Sequence, residues 1–145
     1  IGRFCVVPDA TVPDVLREAW AVLTRVVDSQ DIQVIFGCAS FEGTDPARYA
    51  DAFSLLRARY QGNMRVEVKA FETKPLYEVA TADLNPTAAG LQLPALLRSY
   101  LAMGGYVSDH LVIDRALGTL HVFTAVEIAK IPPARARALR RAALN

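Results

Sequence analysis

The chain has little of what would make a function easy to read. It carries 2 cysteines and 2 histidines in 145 residues, which excludes a disulfide framework and leaves no metal constellation. A net charge of +1 supplies no global field for nucleic acid. No apolar run approaches the roughly 20 residues that a membrane span needs, and no signal-peptide pattern opens the chain. Internal repeats and low-complexity segments are missing too. What is present is ordinary for a folded protein, with 52% hydrophobic and 21% charged residues. The length suits one domain with a sizeable core. These features predict a soluble cytoplasmic protein whose Cys5 and Cys38 stay reduced, although their neighbouring strands leave a bridge between them open.

The chain is organised around residues 32–46, IQVIFGCASFEGTDP. Ile32, Val34, Ile35 and Phe36 form an apolar run with little polar alternation, as expected of a strand covered on both faces. Small residues follow at Gly37, Cys38, Ala39 and Ser40, where something can approach the strand end closely. Thr44, Asp45 and Pro46 then start a helix, with Asp45 as cap and Pro46 in the first helical position. Upstream, residues 1–7 read as an apolar strand and residues 12–27 as an amphipathic helix opened by a capping box, Thr11 to Asp14. The pattern β-α-β-α implies a parallel strand pair, with ligands expected at the carboxyl ends of its strands.

Further along, residues 46–61 read as a second helix and residues 64–70 as a half-exposed strand alternating Met64, Val66, Val68 and Ala70 with charge. Residues 71–92 have no clean period and read as an irregular excursion with one short helical turn after Asp83. A short helix covers 94–103. Residues 106–113 and 119–126 form a hairpin with Gly118 at positive φ. Pro132 and Pro133 open a last helix bearing Arg135, Arg137, Arg140 and Arg141. Trp20 sits on the aliphatic stripe of the first helix and reads as core.

FGCASFEGTDP, together with GR-x-CV-x-PD at residues 2–9, resembles the ornithine–acyl carrier protein N-acyltransferases, which make the lyso precursor of ornithine lipids and are also called hemolysins. The resemblance resumes at residues 93–119, LPALLRSYLAMGGYVSDHLVIDRALGT, with a proline-led helix, a glycine turn and a D-x₄-D strand. It implies an α/β (α+β) fold, a GNAT-like mixed sheet with central parallel splayed strands flanked by helices. Residues 1–7 would be the fourth strand, and residues 1–145 the C-terminal part of a single GNAT-like acyltransferase domain.

By that resemblance, the donor's pantetheine arm runs along the backbone of Cys5, Val6 and Val7 beside Cys38. The donor phosphate sits at the helix start, Thr11 and Val12. Pro13 removes a donor there and Asp14 adds a negative charge, so the single phosphodiester of an acyl carrier protein suits this turn better than the pyrophosphate of free coenzyme A. Amine acylation needs a base and an oxyanion donor. Asp109, mid-strand among apolar residues, and Arg3, inside an apolar strand, are the catalytic candidates; Glu42 and Asp114 are the acceptor-binding ones. Asp114 lies at the hairpin, where aspartate is also common for turn reasons alone. Five residues of spacing place Asp109 and Asp114 on opposite faces of an unbroken strand. His110 and His121 read as structural or surface residues, and His121 departs from a family position that looks like an aspartate. Cys5 and Cys38 read as small buried fillers beside the cleft.

The resemblance implies transfer of a (3-hydroxy)acyl group from acyl carrier protein to the α-amine of ornithine, with no cofactor beyond the donor's phosphopantetheine. Acyl carrier protein is the implied partner; a peripheral contact with the inner membrane through the terminal arginines is the alternative to a solvated last helix. A hemolysin-like membrane-active protein and a catalytically silent acyl-carrier or acyl-CoA-binding module are the competing readings.

Overall fold

The computed structural model describes residues 11–64, 66–68, 72–80 and 83–144. Helix α1 (Val12–Gln30) follows Thr11, whose hydroxyl donates to the Asp14 carboxylate rather than capping an N–H. Arg17 holds the same carboxylate at 3.1 Å. Along α1, Leu16, Trp20 and Val27 recur at helical spacing and are buried, as the stripe predicts. Asp31 ends the helix at φ 50°.

Strand β1 (Val34–Glu42) comes next. Asp45 then accepts the Ala47 N–H at 3.0 Å and Pro46 opens a 3-10 turn, Pro46–Tyr49, that runs into α2 (Ala50–Arg59). The middle of the chain holds β2 (Glu72–Pro75), α3 (Leu76–Val79) and α4 (Pro86–Gln92). The Asn85 side chain caps α4, accepting from Thr87 and Ala88 N–H at 3.1 Å each. Helix α5 (Ala95–Ala102) ends at Gly104 and Gly105. A Cβ on Gly105 would lie 2.6 Å from the Tyr100 carbonyl oxygen, so only glycine lets the chain fold back here. Strands β3 (Tyr106–Asp114) and β4 (Thr119–Glu127) form the expected hairpin, with Gly118 at φ 65°. Helix α6 (Pro133–Ala143) follows.

The sheet runs β1-β4-β3-β2, with antiparallel pairing between each neighbour. The expected mixture of helix and sheet is present. Its parallel pair rests on residues 1–7, which lie outside those described; among the described residues the only parallel pairing is an isolated bridge, Gln61 to Val107.

Two expectations change. Met64 and Val66–68 carry no strand, and the strand forms instead at Glu72–Pro75, inside the stretch read as irregular. Pro75 is tolerated because β2 is an edge strand pairing only with β3 among the described residues. The central strand, read as covered on both faces, buries only one among the described residues. Ala39 and Phe41 join Leu120 and Val122 in a core with Phe53, Leu56 and Leu97, while Ile35 and Val126 meet Trp20 and Leu139. Alternation puts all these strand residues on one face, so α1, α2, α5 and α6 pack on the same side.

Candidate functional site

The opposite face of the sheet gathers the polar side chains. From β1 it presents Phe36, Cys38, Ser40 and Glu42; from β4, Thr119, His121 and Phe123; from β3, Val112 and Asp114. The register sets Cys38 across from Phe123, Ser40 across from His121, and Glu42 across from Thr119. On the next strand Val112 faces His121, and Asp114 faces Thr119.

His121 is held at both ring nitrogens. Its Nδ1 shares a 2.9 Å hydrogen bond with Ser40 Oγ, and its Nε2 a 2.9 Å bond with Thr119 Oγ1. Asp114 Oδ2 lies 3.8 Å from the same Nε2, with the two side chains only 11% and 18% exposed. Asp114 Oδ1 accepts the Leu117 N–H at 2.9 Å and so closes the hairpin turn. Oδ1 of Asp114 thus fills the turn role, while Oδ2 faces His121. Serine hydroxyl, imidazole and threonine hydroxyl are joined by hydrogen bonds, with the carboxylate 3.8 Å from the ring, a set that can take up, hold and return a proton.

Beside this set lies an apolar shelf. Phe36, 59% exposed, stacks on Phe123 with centroids 5.7 Å apart and planes at 27°. Cys38 sits between the shelf and these groups as a free, exposed thiol, not the buried filler expected. Desolvation of its sulfur nonetheless pushes its pKa up, which keeps it protonated and unsuited to nucleophilic attack.

The remaining candidates do not converge on one point. Asp109 Oδ1 pairs with His110 Nδ1 at 2.8 Å. The two line an edge cavity of about 490 Å³ with Arg57, Gln61, Thr73 and Tyr77. The cause is local: the β3–β4 register shifts between Val107 and Leu111, so the strand is not unbroken and alternation does not carry through Asp109. Asp114 and Glu42, the acceptor-binding candidates, both lie on the face that carries His121. Thr11 and Val12 stand at the start of α1, with Asp14 engaged by Thr11 and Arg17. Arg3, Cys5, Val6 and Val7 lie outside the described residues. Ser40 and His121 come together only across 81 positions of sequence, so no local pattern marks them as a site pair. The only local hint was a histidine at a family position that looks like an aspartate.

Among the described residues no group of three or more His, Cys, Asp or Glu side chains could hold a metal ion. No helix among them is long and apolar enough to cross a membrane.

No protein-family model matches the chain, and no solved structure does. Among characterised proteins it is similar to an L-ornithine N(alpha)-acyltransferase of Brucella abortus, 34% identical over 139 residues, covering 90% of this chain and 47% of that protein. It is 30% identical over 135 residues to the protein of that name from Rhizobium meliloti, covering 90% of this chain and 45% of the relative. The Rhodobacter capsulatus protein of the same name is 29% identical over 127 residues, covering 88% and 49%. The chain is thus similar, along nearly all of its length, to about half the length of proteins named L-ornithine N(alpha)-acyltransferase.

Proposed function

We propose that the chain is the C-terminal part of a GNAT-like enzyme that moves a (3-hydroxy)acyl group from acyl carrier protein to the α-amine of ornithine, giving a lyso-ornithine lipid. Similarity to proteins named for ornithine acylation supports the reaction class. The structural observation that carries the reading is His121, held between Ser40 and Thr119 with Asp114 behind it.

The acceptor arrives as an ammonium and must lose a proton before its nitrogen can attack. Ser40 takes that proton while passing its own to His121 Nδ1, and the Asp114 carboxylate steadies the imidazolium that results. The free amine attacks the thioester carbonyl carbon, the C–S bond breaks, and the departing thiolate accepts the second nitrogen-bound proton. No acyl-enzyme forms. Glu42, across from Thr119 on the same face, pairs with the acceptor's side-chain ammonium. Phe36 and Phe123 provide an apolar surface for the first carbons of the acyl chain. The donor's pantetheine arm is assigned, by the family resemblance alone, to Cys5, Val6, Val7 and Cys38, and its phosphate to Thr11 and Val12. Beyond the phosphopantetheine of the donor the chemistry needs no cofactor. The enzyme works in the cytoplasm, with its product leaving to the inner membrane.

Incubating full-length protein with charged acyl carrier protein and ornithine tests the reading. Stoichiometric thiol release and N-acylornithine are the expected products. Carrier binding without turnover would leave an acyl-binding module, and leakage of dye-loaded vesicles without amide product would favour the membrane-active alternative.

A further inference from the structure

Helices α1, α5 and α6 enclose a second surface on the helical side of the sheet. It is a groove of about 540 Å³ whose floor includes Leu16, Trp20 and Leu139 and whose rim carries Arg17, Arg98 and Arg135. The charge on this rim is poorly neutralised. Arg17 is engaged by Asp14, but Arg98 and Arg135 make no ion pair among the described residues. Helix α6 reads PARARALRRAA, four arginines and no acidic residue. One of the four, Arg140, is neutralised by Asp28; Arg135 stays beside the groove.

The walls say what kind of occupant fits. Ala95, Ala138 and Ala142 line the groove, and small side chains let another helix come close. A bilayer would need a different surface: membrane-seeking helices present bulky apolar residues beside their cations. The exposed part of α6 offers alanine and arginine, with the exposed Leu144 just beyond its end. An apolar floor, small walls and unpaired guanidinium groups together suit a short amphipathic helix bearing carboxylates.

We propose that this groove is the docking surface for an acidic helix of a partner protein, with Arg98 and Arg135 receiving its carboxylates. Resting on the function proposed above, the partner is the carrier protein that brings the acyl group, a small acidic helical protein. The groove opens beside Pro13 and Arg17 in the first turns of α1, next to Thr11 and Val12, where the donor phosphate is assigned. Docking here would deliver the carrier's arm to the start of α1 and from there toward β1.

The test compares two donors on full-length protein. With acyl carrier protein as donor, Arg98→Glu/Arg135→Glu raises KM about tenfold or more and flattens its dependence on salt. With a small acyl-pantetheine thioester, the same variant keeps the wild-type kcat and KM. An unchanged KM for the carrier overturns the docking surface while leaving the acyltransferase reading intact. Equal losses with both donors overturn it as well, since that marks damage to the site rather than to docking. The milder Arg98→Gln/Arg135→Gln variant, checked by circular dichroism for native melting, gives the same comparison if charge reversal impairs folding. Should wild type turn over neither donor, the function above fails, and titration of fluorescent carrier protein still reads the groove. Binding weakened by the variant supports it; binding that is absent or undiminished overturns it. Loss of binding to phosphatidylglycerol vesicles with an unchanged carrier KM would reassign the arginines to a lipid surface.

Discussion

Replacing Asp114 by asparagine separates the residue's two tasks. The asparagine Oδ1 still accepts the Leu117 N–H that the carboxylate holds at 2.9 Å, so the hairpin turn survives. What disappears is the charge 3.8 Å from His121 Nε2. Two unit charges at that distance attract by about 4 kcal/mol at an effective dielectric of about 20. That value is a ceiling, because the separation exceeds hydrogen-bond length and Thr119 occupies Nε2 directly. Taking about half of it, roughly 2 kcal/mol of stabilisation is lost from the imidazolium formed during turnover, a fall of about thirtyfold in kcat. Thermal stability should hardly move. Asp114→Ala removes the turn acceptor as well, adding about 1 kcal/mol of destabilisation, or roughly 3 °C in Tm. Steady-state amide formation with both substrates saturating, alongside calorimetric melting, distinguishes the two. Wild-type kcat in Asp114→Asn would refute the role of the carboxylate. A melting loss as large as that of the alanine variant would refute the division of labour between its oxygens.

Other consequences follow from single contacts. Gly105→Ala forces a Cβ to within 2.6 Å of the Tyr100 carbonyl oxygen; the expected cost is about 2 kcal/mol, visible as a drop of roughly 6 °C in Tm. Cys38→Ala leaves kcat unchanged, because a thiol whose pKa is pushed up by desolvation is no nucleophile at neutral pH; loss of activity together with a trapped acyl-cysteine in the native protein would argue otherwise. Asp28 is gripped by Arg140 at 2.8 and 2.9 Å, and those hydrogen bonds hold its carboxyl below the usual carboxylate range. Since the folded value is the lower one, the bridge contributes stability above the unfolded carboxylate value and loses it as pH falls through the folded value. Asp28→Asn should therefore melt earlier than wild type at neutral pH, with the gap closing in strong acid; a gap that widens in acid would contradict the pairing.

Much of the architecture is written locally and was readable. The α1 stripe, the Asp45–Pro46 helix start and the Gly118 hairpin each depend on residues within a turn or two of one another. Strand β2 escaped notice because four residues, one of them proline, carry no period; Thr73 is a strand residue only because Val112 is across from it. The sidedness of β1 was hidden for the opposite reason. Val34 and Phe36 are as apolar as Ile35 and Phe41, so alternation could not say which face meets the helices. The set around His121 was illegible because Ser40 and His121 meet only through the β1–β4 register, and lone histidines on strands are usually unremarkable. For Asp109, a register shift in β3 overrode the simple count of five residues to Asp114.

The most direct measurement of the central claim is the turnover number of His121→Asn set beside that of His121→Asp in full-length enzyme with acyl carrier protein and ornithine. Asparagine keeps a polar side chain next to Ser40 but cannot take up a proton; aspartate can. A fall in kcat of about a hundredfold or more in the asparagine variant, largely restored by aspartate, is the expected result. Full activity in His121→Asn would place the base elsewhere and contradict the account.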